Sequence, residues 1–128
     1  MQIFERPFRI LITHANDETH AGLCILVNLR SRLSIIRKLF EINGRALGVL
    51  LKIDNKKIHV TGIYAPANIE KRPHFFVDVF NALGENFRHY DESLFLGDFN
   101  FVEDNFLDRS HLTQNWKIGK ESFVKIKN

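Results

Sequence analysis

Asp98 and Asn100 close the stretch SLFLGDFN, an apolar run that ends in a glycine, a carboxylate, an aromatic ring and an amide. On an extended chain, residues two apart point to the same side, so a strand ending here presents the carboxylate and the amide together. Such a carboxylate can accept a proton from water. The neutral amide beside it can donate to a phosphate oxygen, or orient the attacking water, without adding repulsion. The same Asp-x-Asn spacing also makes an Asx-type turn that closes a strand. The triplet by itself carries both readings.

The surrounding pattern indicates what must position these groups. FRILITH (Phe8 to His14) and GLCILVN (Gly22 to Asn28) are short runs rich in Ile, Leu and Val, expected as two strands joined by a polar loop. LSIIRKLFEI (Leu33 to Ile42) fits a helical face as well as a strand. The Asn43-Gly44 pair after it favours a strand entering a hairpin, because that dipeptide supplies the positive φ angles of a tight turn. RALGVLLKIDNKKIHVTGIYAPA then reads as two apolar strands hinged at Asp54 to Lys57. On the second of these, Ile58, Val60, Gly62 and Tyr64 face one way while His59, Thr61 and Ile63 face the other. Apolar groups on both sides predict a strand covered on both faces. After Pro66 the period changes: Phe75, Phe76, Val79, Phe80, Leu83 and Phe87 recur at spacings of three and four, opposite Asp78, Asn81 and Glu85. That pattern predicts an amphipathic helix on a sheet, with Pro73 in its first turn.

Composition sets the frame. A chain of 128 residues that is 45% hydrophobic, with 12 phenylalanines, is sufficient for one core but hardly for two domains. The net charge of +3 and pI near 9.2 are compatible with polyanion binding and are only mildly basic. The lone Cys24 excludes a disulfide framework and a zinc-finger pattern, and suits a reducing, intracellular compartment. No segment has the length and apolarity of a membrane helix, and neither a membrane partner nor a signal peptide is expected.

Taken in order, GRALGVLLKIDNKKIHVTGIYAPA, Arg72 with the Phe75-Phe76 pair, and LFLGDFNFVEDNFLDR resemble the middle of the endonuclease/exonuclease/phosphatase superfamily. Within it the sequence is most similar to the endonuclease domain of LINE-type (non-LTR) retrotransposons. The resemblance runs from Phe8 to Arg109, and residues 110–128 form a less patterned tail of the same single domain, 1–128. It implies an α+β fold that is part of a four-layered α/β sandwich, with two packed, mostly antiparallel sheets flanked by helices, truncated at both ends. The implied activity is Mg²⁺-dependent hydrolysis of a DNA phosphodiester. Asp98 would position or deprotonate the attacking water, Asn100 would orient the water and the phosphate, and Tyr64 of Tyr-Ala-Pro would lie near the scissile phosphate. DNA is then the partner, with a reverse transcriptase in the parent polyprotein and a nuclear location for a working enzyme.

The sequence also departs from that family. Its members draw an early asparagine and a metal-binding glutamate from strands before this region, and a late aspartate and histidine from strands after it. Glu18 in DETH imitates the glutamate motif but lies only four residues before Gly22, and is read as a solvated loop carboxylate. His111 stands too close to Leu107-Asp108-Arg109 to serve as the terminal histidine, and Asp108 with Arg109 is read as a structural pair. Ala67 occupies a position where these enzymes often carry asparagine. Groups that act as a unit lose most of their effect when one is missing, so the isolated chain is expected to show little or no nuclease activity. The alternatives are a non-catalytic nucleic-acid or protein binding remnant of the same sandwich and, against the motif order, a phosphatase on the same scaffold.

Overall fold

The computed structural model describes residues 8–14, 21–84 and 88–101. They form β1 (Phe8–His14), β2 (Gly22–Asn28), β3 (Leu33–Ile42), β4 (Ala46–Ile53), β5 (Lys56–Tyr64), α1 (Arg72–Leu83) and β6 (Glu92–Asp98). The fold is mixed α/β, with β1 and β2 making a two-stranded sheet and the remaining strands a four-stranded one in the order β3-β4-β5-β6. Every pairing is antiparallel except β5 with β6, which run parallel and are joined through α1.

Local chemistry accounts for the turns. Asn43 and Gly44 adopt φ of 37° and 69°, so the β3–β4 connection is the tight hairpin that the dipeptide predicts. The β4–β5 hinge is tighter than the expected Asp54 to Lys57. Only Asp54 and Asn55 lie outside the strands, with Asp54 at φ 51°, a conformation that a short polar side chain tolerates. Helix α1 starts at Arg72 with Pro73 in its first turn and stops at Gly84, whose φ of 62° costs a glycine little.

The central strands of the four-stranded sheet, β4 and β5, are buried on both faces. Toward α1, Ala46, Ile63 and Ala65 pack with Phe75, Phe76, Val79 and Leu83. Toward the β1–β2 hairpin, Leu47, Val49, Leu51 and Val60 meet Val27, with Leu11, Leu23 and Ile25 against them. The alternation expected on β5 is therefore realised: Val60 belongs to the inter-sheet core and Ile63 to the helix-side core. Gly62 is the point of closest approach, since a Cβ there would sit 2.7 Å from the Leu23 side chain. One helix position differs from expectation. Phe80, at the margin of the apolar stripe, is 37% exposed; Phe87 lies outside the described residues.

The described residues thus form three layers: hairpin, sheet and helix. The hairpin is narrower than the sheet beneath it. Its outer face carries Phe8, Ile10, Ile12 and Leu26 at 44 to 56% exposure, and Leu94 and Leu96 on β6 are likewise open. The two edges of the larger sheet also differ. β3 carries two register irregularities and the charged Arg37, Lys38 and Glu41, devices that discourage edge pairing, whereas β6 carries the apolar Leu94 and Leu96 in an unbroken register with β5.

Candidate functional site

The parallel β5–α1–β6 unit creates the site. In such a unit the carboxyl ends of the two strands lie at one edge of the sheet, where a crevice opens between the connections that leave them. Tyr64 and Asp98 end the two strands and are register partners. The start of β6 is tied down at the opposite edge: the Asp91 carboxylate accepts the Lys57 N–H at 2.7 Å, and the Asp91 N–H donates to the Lys57 carbonyl at 3.0 Å. At the site edge the Ala65 N–H donates to the Asp98 carbonyl at 2.8 Å. Register at both ends is therefore set by hydrogen bonds.

Gly97 brings β6 into this position. Its φ is 137°, and a Cβ on it would lie 1.9 Å from the Ile63 carbonyl oxygen. No other residue lets β6 approach β5 this closely just before the carboxylate. Beyond it the chain alternates sharply. Phe99 and Phe101 turn inward onto Phe76, with ring centroids 6.5 and 5.7 Å away, while Asp98 remains exposed and Asn100 half-buried. The aromatic pair anchors the segment that carries the polar pair.

Asp98 and Asn100 also make the turn that their spacing allows. The Asp98 carboxylate accepts the Asn100 N–H at 2.9 Å, and Asn100 takes a left-handed φ of 52°. The Asn100 amide nitrogen reaches across to donate to the Ala65 carbonyl at 2.6 Å. One side chain thus links the end of β6 to the Tyr-Ala-Pro segment after β5. The structure brings all three expected residues, Tyr64, Asp98 and Asn100, to one edge of the sheet, and gives Asn100 a bracing contact.

Two arginines complete the surroundings. Arg72, at the start of α1, is buried at 6% exposure, and its guanidinium donates to the Pro66 carbonyl at 2.9 Å and to the Ala67 carbonyl at 2.7 Å. It clamps the loop that follows Tyr64. Ala67 itself is exposed and offers this loop only its backbone. Arg45, in the β3–β4 turn, lies against Tyr64: its guanidinium carbon is 4.9 Å from the ring centroid and its Nη1 donates to the Tyr64 carbonyl at 3.3 Å. Pattern reading missed both contacts. Arg72 enters the sequence argument only as the head of a motif, and Arg45 carries no periodic or spacing signal at all.

A cleft of about 530 Å³ opens beside Tyr64 and Asp98, floored by Val60 and Gly62 and walled by Leu23 and Leu96. It is chiefly apolar, with the phenol and the carboxylate at its polar end. Among the described residues no three His, Cys, Asp or Glu side chains come together. Glu18, Asp108, Arg109 and His111 lie outside the described residues. His59 is buried, hydrogen-bonded to the Thr61 hydroxyl and packed near Tyr90 and Phe95. Burial lowers its pKa from 6.5 to about 4, and five extended residues, about 17 Å, separate it from Tyr64. It is a core histidine, not a member of the site.

No protein-family model and no curated protein matches the sequence. Among solved structures, the fold is similar to a functionally unknown conserved protein from Enterococcus faecalis V583, at 18% identity and a TM-score of 0.62. That match covers 92% of this chain and 49% of the other, so this chain spans about half the length of its structural neighbour. The likeness bears on the fold. Among the described residues no helix is long and apolar enough to cross a membrane.

Proposed function

We propose that this chain is the central portion of a DNA endonuclease domain of LINE type, in which Asp98 and Tyr64 act on a backbone phosphodiester. The observation that carries the reading is the placement of Tyr64 and Asp98 as register partners at the carboxyl ends of adjacent parallel strands. Asp98 is exposed and can accept a proton from water; the half-buried Tyr64 offers a phenol O–H to a phosphate oxygen. Asn100 acts by holding the two strand ends together through the Ala65 carbonyl. The fourth layer of the sandwich, a second helical face over the hairpin, belongs to the same proposal, and the apolar outer face of β1–β2 is what supports it.

Among the described residues Asp98 is the carboxylate at this edge that could contribute an oxygen to a Mg²⁺ shell otherwise filled by water and phosphate. In this reading the isolated chain binds a phosphodiester without turning it over. DNA is its partner in this reading, and a reverse transcriptase, a Mg²⁺ site and a nuclear location belong to the parent protein. Binding of a short DNA duplex at low salt tests it. A carboxylate beside a phosphate repels it, so Asp98→Asn raises affinity, whereas Tyr64→Phe removes a donor and lowers it. Unchanged affinity in both variants contradicts the reading. Plasmid nicking in Mg²⁺ that disappears in Asp98→Ala contradicts the claim of inactivity.

A second reading draws on a specific contact. The Asp98 carboxylate and the Asn100 amide are already engaged within the chain, as suits a remnant that kept the binding surface and lost the chemistry. Salt-sensitive DNA binding that is indifferent to Mg²⁺ favours this version.

A further inference from the structure

Arg45 is bound to Tyr64 in three ways. The Tyr64 N–H donates to the Arg45 carbonyl at 2.7 Å, the Arg45 guanidinium returns a hydrogen bond to the Tyr64 carbonyl at 3.3 Å, and the same guanidinium lies 4.9 Å from the ring centroid. Its own N–H donates to the Ile42 carbonyl at 2.7 Å, so the Asn43-Gly44 turn fixes where Arg45 stands. The last ladder pair before it is Ala46 with Ile63. One step further, Arg45, Tyr64 and Asp98 form a row across the ends of β4, β5 and β6. A cation, a phenol and a carboxylate lie side by side at one edge of the sheet.

We propose that Arg45 is the positioning residue of Tyr64, holding its ring for the phosphate and supplying the fixed positive charge of the site. The charge role rests on the reading of Tyr64 as a phosphodiester contact; the positioning role does not. The Arg45 guanidinium stacks on one face of the ring and is itself held there by its bond to the Tyr64 carbonyl. The charge also opposes the repulsion that Asp98 exerts on an arriving phosphate. A lysine keeps the charge but has neither the planar face nor the fork.

The test uses Arg45→Met, Arg45→Lys, Tyr64→Phe and the Arg45→Met/Tyr64→Phe double variant of the full chain. The readouts are aromatic carbon–proton spectra and affinity for a 12-base-pair DNA duplex across a salt series. The chain has two tyrosines, so Tyr90 serves as an internal control for folding. Arg45→Met and Arg45→Lys should both shift the Tyr64 ring signals and leave those of Tyr90 in place. Arg45→Met should weaken the duplex by roughly three- to tenfold and lower the salt slope by about one, while Arg45→Lys keeps the slope. The double variant should lose less than the product of the single losses, because each residue acts through the other. Tyr64 signals unmoved in Arg45→Met, or losses that multiply, overturn the proposal. A wild-type chain that does not bind the duplex overturns the phosphodiester reading and the charge role with it. The ring signals then still decide whether Arg45 positions Tyr64.

Discussion

Asn100 donates its side-chain amide to the Ala65 carbonyl at 2.6 Å, tying the residue after Tyr64 to the turn that carries Asp98. The two residues are 35 positions apart, and the bond crosses from the exit of β6 to the exit of β5. With the Ala65 N–H donating to the Asp98 carbonyl, it makes the mouth of the parallel pair one braced unit rather than two loose strand ends. Removing the bond leaves the Ala65 carbonyl without this donor. Asn100→Ala should therefore destabilise the chain by about 1 to 2 kcal/mol, read as a lower urea midpoint, with Tyr64 and Asp98 showing the largest amide shifts. Shifts spread evenly over the fold would contradict the bracing role.

Gly97 should tolerate no side chain. A Cβ 1.9 Å from the Ile63 carbonyl, at a φ of 137°, demands that β6 move away from β5. Gly97→Ala should cost about 3 kcal/mol or more in chemical denaturation, with loss of hydrogen-exchange protection at Ile63 through Ala65. A near-neutral result would show that the strand ends are not closed as described.

Arg72 should be irreplaceable by lysine. Its two hydrogen bonds to successive carbonyls, Pro66 and Ala67, need a planar fork, and its burial makes a single-point ammonium a poor substitute. Arg72→Met and Arg72→Lys should each lower stability by about 2 to 4 kcal/mol. Lysine performing as well as arginine in thermal unfolding would mean that charge, not the fork, holds the loop.

His59 gives stability an acid limb. Its folded pKa, about 4, lies below the ordinary 6.5 because burial disfavours the charged ring, so between these values the unfolded chain binds the extra proton. Its contribution is complete above pH 6.5, falls as the pH drops toward 4, and amounts to roughly 3 kcal/mol at most. His59→Leu should flatten this part of the stability profile. An unchanged slope would assign acid sensitivity to other groups.

The outer face of the hairpin should drive self-association. Ile10 and Leu26 are cross-strand partners, 46 and 56% exposed. Replacing them with Lys and Glu puts an opposite-charge pair on the face without touching the inner core. The double variant should sediment as a smaller species than the parent chain at equal concentration. Equal sedimentation would acquit that face.

What could be read in the sequence was whatever depends on local rules. The short Ile-, Leu- and Val-rich runs of β1 and β2, the apolar runs of β4 and β5, the Asn43-Gly44 turn, and the three-and-four spacing that produced α1 each follow from a short window of residues. The Asp98 and Asn100 pair was visible from its spacing, but Asn100 lies beyond the end of β6 at a left-handed φ, so the Asx turn and not strand periodicity sets where its side chain goes. What escaped depends on tertiary placement. The grip of Arg45 on Tyr64, 19 residues away, and of Arg72 on Pro66 exist only once β4, β5 and α1 have assembled. Phe80 fits the helical stripe yet stays exposed, since periodicity gives a direction but not the extent of the surface it meets. The resemblance anticipated that Tyr64 and Asp98 would share a site; only the parallel pairing of β5 and β6 made them neighbours.

The most direct measurement is a backbone amide titration of the labelled chain with a short DNA duplex at low salt. A phosphodiester site at the carboxyl ends of β5 and β6 concentrates the shifts on Tyr64 to Ala67 and Gly97 to Phe101, and they weaken as salt rises. Shifts confined to the opposite edge, around Lys57 and Asp91, or none at all, would contradict a phosphodiester site at the carboxyl ends of β5 and β6.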